Sequence, residues 1–478
     1  MCPAVSLYLL IPLLLMLANC ANIGVVGDDE ANILKSYWNS NYNSTPLSFN
    51  EWISGHHARL YMVDAWWSQR NSSIHINIFT TMTLDRIHML EALCQSYMGP
   101  VSAAVYISVD VETYPYDFTS SAGGRGTRRL KSARRRLGEG APELAAPIAD
   151  AREKLQDLFT RMEEQSTTID MIAAALRSNN TPPCCCQLKM ALMAERLADP
   201  HLAYLMPTNA MRNVAMLMVN TPLSIMLDVD LSFGRNFNEL VQNSTWINGL
   251  LQGTHGAPQP VMYIPPAFEA KAHHSLNAAK IIVEISLQGG KQTVSSLWKL
   301  GILQAFQIDI CLHCHGAFNH TRWMESDVPY TVKYTQGFEP WGILNRFLDP
   351  GYDERFRGWL YNKQTHVEAL AQKHNFVLKV LPDVWAVHRP HKKIASRKLA
   401  KPVPDNVKET NTDVMEMLKV ITLPDGTNAS AYSSYRKYVD NLRYKARTAL
   451  AARQPYEPQL NPQFLHCKKA LPWWGGVR

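Results

Sequence analysis

The stretch LSIMLDVDLSFG, residues 223–234, ends an apolar run with two aspartates one residue apart. Side chains alternate across a strand, so Asp228 and Asp230 project from one face and Val229 from the other. Two hard carboxylates on one face suit an oxygen-seeking divalent cation such as Mg²⁺ or Mn²⁺. Such a cation can bridge nucleotide phosphates and neutralise a diphosphate leaving group. A bare D-x-D is also common as an exposed turn that binds nothing. The apolar strand ahead of this one raises its weight, because open parallel sheets bind ligands just beyond the carboxyl ends of their strands.

A second cluster is CLHC, which sets Cys311 and Cys314 at metal-knuckle spacing beside His313, His315 and His320. Structural zinc takes four ligands from paired clusters, so a lone C-x-x-C is weak evidence for it. Nine cysteines in 478 residues, with Cys184, Cys185 and Cys186 consecutive, cannot staple the whole chain. Disulfides, local or long-range, are expected ahead of zinc, and the core must come from packing.

The elements that would position the aspartates are readable on both sides of a break. HINIFTTM (75–82) is β-rich, LDRIHMLEALCQSYMG carries apolar residues at helical spacing, and VSAAVYISVD is extended again. This strand–helix–strand unit builds parallel sheet. The pattern returns at TNAMRNVAMLMVNTP, an amphipathic helix stopped by Pro222, followed by the LSIMLDVD strand. Between these, over about 115–185, the sheet signal vanishes. The run RGTRRLKSARRRL (125–137) is dense in Arg and Lys without an acid, and AREKLQDLFTRMEEQ is helical. We read an insertion, solvated and helical in part, rather than a nucleic-acid-binding surface. With 46% hydrophobic residues and 12 Trp, the chain is expected to form one large α/β domain with additions.

The first 34 residues lack Lys and Arg, and residues 4–18 form an apolar stretch interrupted by Pro12. That run is short for a span of about 20 residues and closer to a signal-peptide core. Residues 1–21 are therefore expected to be a signal peptide or short signal anchor, against the alternative of a buried helix, with 22–74 leading into the main domain. Six N-x-S/T sequons, at Asn43, Asn71, Asn179, Asn243, Asn319 and Asn428, favour the secretory route.

Several ordered segments resemble the glucuronyltransferase domain of the LARGE family, glycosyltransferase family 49. They are TTMTLDRIHMLEALCQSYMGPVSAAVYI, TNAMRNVA, MLDVD, VMYIPPAFEA, CHGAFNHTRW, VPYTVKY, FEPWGILNRF, PGYDERFRGWLYNKQTHVEAL and VLPDVWAVHRPH. The resemblance spans about 75–395 and fades into a linker and helical tail over 396–478. It implies a GT-A fold, a Rossmann-like α/β domain with a mixed, mostly parallel sheet. It further implies Mn²⁺ as cofactor, with Mg²⁺ possible, and a UDP-sugar donor. Glucuronic acid would move from UDP-glucuronate to a glycan or glycoprotein acceptor such as a xyloside, with inversion, in the Golgi lumen.

Carried onto this chain, the resemblance makes Asp228 and Asp230 the metal-binding pair and gives the third ligand to His388, with His391 as competitor. An inverting transfer needs one base on the acceptor side. Asp353 is the first choice and Glu354 the second, against the alternative that an acid beside Arg355 and Arg357 is a structural ion pair. Thr80, Thr81 and Asp85 fall where base and ribose would lie, although Asp85 equally suits a helix N-terminus. Arg212 is placed for phosphate or a sugar carboxylate. Trp341 and Trp359 offer faces for a sugar ring unless they are core, while Asn362 and Lys363 can bond hydroxyls or a carboxylate. Family members carry two transferase domains, whereas this chain has motifs for one, so a single sugar is expected. The rival reading from another class is a catalytically inactive sugar-binding protein of the secretory pathway. A metal-dependent hydrolase built on D-x-D is disfavoured, because the sequence offers no further His/Asp cluster of the kind two metals require.

Overall fold

The computed structural model describes residues 29–40, 60–70, 72–110, 142–175, 186–197, 205–255, 259–391, 420–422, 427–452, 454 and 456–475. The apolar leader, the basic run 125–137, Cys184, Cys185 and the sequons at Asn43, Asn71 and Asn179 lie outside them. Among the described residues no helix is long and apolar enough to cross a membrane.

Runs that are apolar on both faces become interior strands. β2 (Ile76–Thr83) pairs in parallel with β3 (Pro100–Asp110) on one side and β5 (Leu223–Met226) on the other. Ile76, Ile78, Val101, Val105, Leu223 and Ile225 have no exposed surface. Full burial of each such side chain contributes about 1.5–3 kcal/mol. The helix α1 (Asp29–Ser40) packs near β1 (Leu60–Trp67), which pairs antiparallel with β4 (Gln187–Leu197). β4 is parallel to β3.

The nine-stranded sheet runs β1-β4-β3-β2-β5-β11-β7-β12-β10, with β7 Val261–Ile264, β10 Tyr330–Val332, β11 Ile343–Asn345 and β12 Val377–Val380. The parallel pairs are β4–β3–β2–β5 and β7–β12. Antiparallel pairing at β1, β11 and β10 makes the sheet more evenly mixed than expected. The expected strand–helix–strand unit is present, with α2 (Ile87–Ser96) between β2 and β3.

Two strands differ from the sequence reading. β1 belongs to the segment taken as a lead-in, and β4 emerges from KMALMAER, whose Ala, Met, Leu and Glu favour helix. Sheet pairing on both edges of β4 overrides that propensity. The insertion holds a long helix, α3 (Pro142–Ala175), whose Ala151, Leu155, Leu158 and Met162 recur at helical spacing and are fully buried. Arg161 of α3 reaches Glu91 at 2.8 Å, and Gln156 accepts from the Trp66 indole at 2.7 Å. A disulfide, Cys94–Cys186, ties α2 to the start of β4, and a second joins Cys311 to Cys314, as expected over zinc.

A small sheet, β6-β13-β8-β9, completes the frame, with β6 Leu231–Phe233, β8 Ala267–Ala270, β9 Leu303–Ala305 and β13 Ala386–His388. The D-x-D loop is the bridge between the two sheets: β5 of the large sheet ends at Met226, and β6 of the small one begins at Leu231. The helix α4 (Thr208–Leu217) is the amphipathic helix ahead of β5, and α5 (Asn362–Gln372) follows the PGYDERFRGWLYNK segment. Gly358, at φ +71°, permits the turn into α5; a Cβ there would lie 2.7 Å from the Tyr435 hydroxyl. The tail packs back on the domain. α6 (Ala431–Ala451) meets α5, α7 (Pro462–Ala470) meets α1 and α4, and the indoles of Trp473 and Trp474 both donate to the Leu217 carbonyl.

Candidate active site

Parallel pairing of β2 with β5 sets Phe79 opposite Met226, the last residue of β5, with the Leu227 N–H donating to the Phe79 carbonyl, so β2 runs on beside the D-x-D loop to Thr83. The last residues of β2 therefore neighbour that loop. β13 pairs antiparallel with β6, and His388 stands opposite Leu231, the residue after Asp230. The Arg389 N–H donates to the Asp230 carbonyl at 2.7 Å, which fixes the loop to the end of β13.

Asp230 Oδ2 lies 2.8 Å from His391 Nε2 and 3.7 Å from His388 Nε2, and the two imidazoles are 3.3 Å apart. One donor atom from each of these three residues lies within 4.8 Å of the others, all partly accessible to solvent. Both histidines flank the carboxylate, and His391 is the nearer. His388 Nδ1 faces Glu269 at 3.7 Å. Burial would raise the Asp230 carboxyl, but hydrogen bonds and charge from the two histidines hold it well below the usual range. Burial would lower His388, yet Asp230 and Glu269 raise it. Two imidazoles and one carboxylate are a donor set that Mn²⁺ accepts.

Asp228 turns the other way. Its carboxylate takes Arg212 Nη2 at 3.2 Å, Lys363 Nζ at 3.3 Å and the Trp341 indole at 3.1 Å. Burial would raise its carboxyl, but the cations Lys363 and Arg212 outweigh that and lower it. The Lys363 ammonium lies 3.6 Å from the Trp341 ring centre, His315 stacks on that ring at 5.2 Å, and Phe306 meets it edge-on at 5.3 Å. Arg212 also donates to Asn362 Oδ1 at 2.9 Å. The site is thus two adjoining halves: a carboxylate–imidazole cluster on the small sheet, and a carboxylate between two buried cations under α4 and α5.

The remaining sequence-selected residues divide between the cleft and the interior. Thr80 is buried within β2, opposite Ala103 of β3, with no partner for its hydroxyl; Thr81, also within the strand, is partly exposed. Asp85 is exposed in the turn before α2, bonded to the Thr83 hydroxyl and 3.7 Å from buried Arg86. Trp341 is 1% exposed and serves as a wall between Asp228 and His315, so it offers no open face to a sugar. Trp359 is half-buried, its N–H donating to the Tyr435 hydroxyl. Asn362 is consumed internally, accepting from Arg212 and donating to the Gly358 carbonyl at 2.9 Å.

Asp353 and Glu354 do not open on this cleft. The side chain of Asp353 is 3% exposed, and its oxygens accept from Arg355 and, at 2.6 Å, from the Tyr456 hydroxyl. Glu354 accepts from Asn213 at 2.8 Å, and burial pushes its carboxyl up to about 7. The placement is that of the structural ion pair weighed against an acceptor-side base. Arg357, the other neighbouring cation, pairs instead with Glu195 of β4 at 2.6 and 2.8 Å.

Two acids in the site went unread in the sequence although both lie in segments of the resemblance: Glu269 in VMYIPPAFEA and Glu339 in FEPWGILNRF. Their ordinary spacing carried no signal beyond lying in segments that border the cleft.

A profile of the family described as glycosyl-transferase for dystroglycan matches residues 75–420. The xylosyl- and glucuronyltransferase LARGE2s of Danio rerio is 24% identical over 342 residues, covering 71% of this chain and 35% of its own length. The xylosyl- and glucuronyltransferase LARGE1 of Homo sapiens is 24% identical over 341 residues, covering 70% and 34%. The chain thus spans about a third of the length of these relatives. The crystal structure of S. aureus TarS in complex with UDP-GlcNAc aligns over 84% of this chain and 82% of its own, at 10% identity and a TM-score of 0.27, too low to bear on the argument.

Proposed function

Because the chain belongs to the glycosyl-transferase family for dystroglycan, family 49, we propose that it is an inverting, metal-dependent transferase that moves one sugar from a UDP-sugar donor to a glycan hydroxyl. The pair we favour is UDP-glucuronate and a xyloside, as the names of the relatives support. The observation that carries the reading is the D-x-D loop bridging two sheets, with Asp230 against His388 and His391 and Asp228 against Lys363 and Arg212.

Asp230, His388 and His391 would hold Mn²⁺ or Mg²⁺, which, when bound, supplies positive charge to the diphosphate. Lys363 and Arg212 are buried cations whose present partner is the Asp228 carboxylate. An incoming anion, either the diphosphate or a uronic carboxylate, meets two donors that are already desolvated and held in place. The last residues of β2, with Thr80 and Thr81, and the turn after it, with Asp85, are where we place the nucleoside. Their position beside the D-x-D loop follows from the β2–β5 pairing. The acceptor side is left to Trp359 and the turn that leads into α5.

We place the domain in the lumen of the secretory pathway, in the Golgi, anchored or released at its N-terminus. Two disulfides support an oxidising compartment. The test is a Mn²⁺-dependent screen of UDP-sugars that reads UDP release with and without xylosides. Asp230→Asn is expected to abolish turnover while leaving the melting temperature near that of the wild type, since the residue lies at the rim of the sheet. Near-normal turnover in that variant removes the metal assignment; a wild type silent with every donor favours a sugar-binding protein.

A further inference from the structure

An inverting displacement needs a group to accept the acceptor's proton, and the acids of PGYDERFRGW are buried in their own contacts. Glu339 is placed differently. It precedes Pro340 and Trp341, and the Trp341 indole donates to Asp228. Its N–H donates to the Cys314 carbonyl at 2.9 Å, and Cys314 is cross-linked to Cys311, so the backbone at Glu339 is fastened to the short helical turn Leu312–His315. Proline on its C-terminal side restricts it further.

The Glu339 side chain is 17% exposed, against 3% for that of Asp353. Among the described residues no Lys or Arg lies within ion-pair distance of it; its recorded ionic neighbour is His315, whose Nε2 is 3.9 Å away. His315 is fully buried, with neither ring nitrogen hydrogen-bonded, and burial holds it well below the usual histidine range. The imidazole is therefore neutral and does not tie up the carboxylate. Gln364, next to Lys363 on α5, bonds the Glu339 carboxylate and also Cys314 Sγ at 3.3 Å. The charged groups that face Glu339 are Lys363, Asp228 and Arg212, the members of the proposed donor-binding half of the site. Burial raises the Glu339 carboxyl, which makes it a stronger proton acceptor than an exposed glutamate.

We propose that Glu339 is the catalytic base of the transfer, an assignment that rests on the glycosyl-transfer reading above. The acceptor hydroxyl gives its proton to the Glu339 carboxylate as its oxygen bonds to the anomeric carbon. The bond from that carbon to the β-phosphate oxygen breaks, and UDP leaves with the electron pair. The proton departs from Glu339 to water after the product leaves, and the cycle consumes no oxidant or further reactant.

The test compares wild type, Glu339→Gln and Glu339→Asp for three quantities: melting temperature, calorimetric binding of UDP with Mn²⁺, and kcat with UDP-glucuronate and an aryl xyloside, or with the donor the screen selects. For Glu339→Gln we expect UDP binding within about twofold of wild type and kcat lower by about 10²-fold or more. A kcat within about threefold of wild type overturns the assignment. So does loss of UDP binding in step with kcat, which would make Glu339 a donor-binding residue. If the Gln variant does not fold, Glu339→Asp decides. A carboxylate withdrawn by one methylene should lose at least about tenfold in kcat as the base, and an unchanged rate overturns the proposal. A wild type that transfers no sugar defeats the transfer reading and the base with it, an outcome distinct from an active wild type with an active Gln variant.

Discussion

The pair Arg357–Glu195 joins the PGYDERFRGW segment to β4, and it allows a sharp test of whether that segment is framework. Both side chains are about 1% exposed, and they meet in a two-pronged contact at 2.6 and 2.8 Å. The Tyr106 hydroxyl donates to Glu195 at 2.7 Å, and Arg357 Nε donates to the Leu205 carbonyl at 3.0 Å. Burial would lower Arg357, but Glu195 outweighs it and keeps the guanidinium charged. Removing one partner strands a desolvated charge, which costs about 3–5 kcal/mol. Arg357→Met and Glu195→Gln should each destabilise by that amount, a large share of the roughly 5–15 kcal/mol that holds a domain together. Replacing both with apolar residues, in Glu195→Leu/Arg357→Met, strands no charge. That double variant leaves the buried Leu205 carbonyl and Tyr106 hydroxyl without these partners, about 1–3 kcal/mol each, and should be clearly less destabilised than the two single variants added together. Urea unfolding followed by tryptophan fluorescence reads the three midpoints. Added salt should change them little, because a buried pair is poorly screened. Single variants within about 1 kcal/mol of wild type, or a double variant as unstable as the two singles added, would refute the reasoning.

Asp353→Asn keeps size but loses the charge opposite Arg355, so it should lower stability by about 1.5–3 kcal/mol while kcat per folded molecule is unchanged; a dead but stable variant would return the base to this segment. Glu354 supplies a pH test: its carboxyl is raised from 4.5 to about 7 by burial, so the folded chain holds a proton that the unfolded chain releases first. That contribution is fully present below about pH 4.5 and is lost as pH rises through about 7, a change on the order of 3 kcal/mol. Glu354→Gln should flatten the slope and be the more stable protein at pH 8, as urea midpoints between pH 5 and 8 would show; an unaltered slope places the titration elsewhere.

The interior strands of the α/β frame were legible because their signal is local. β2, β3 and β5 are apolar on both faces, and the switch from strand to helix periodicity around LDRIHMLEAL marks the turn that neighbours the site. β1 and β4 were not legible. LYMVDAWW and KMALMAER have no clean alternation, and only pairing with each other and with β3 makes them extended. Trp341 illustrates the same limit inside the site. A tryptophan in FEPWG reads equally as sugar platform or core, and only the stacking of His315 and the approach of Lys363 show that its faces are taken.

By itself the sequence determined that two aspartates follow a buried strand, that a histidine-bearing strand comes late in the chain, and that the framework is α/β, because strand period and apolar runs are properties of neighbouring residues. Which groups those aspartates meet was decided by tertiary structure alone. His391 reaches Asp230 across 161 residues, Lys363 reaches Asp228 across 135, and Tyr456 closes over Asp353 across 103. The chemical role of a carboxylate depends on its burial and on the charges around it. Those are set by contacts between segments distant in the chain, so Asp353 and Glu339, alike as acidic letters in resembling segments, end as a sealed ion pair and a carboxylate at the edge of the cleft.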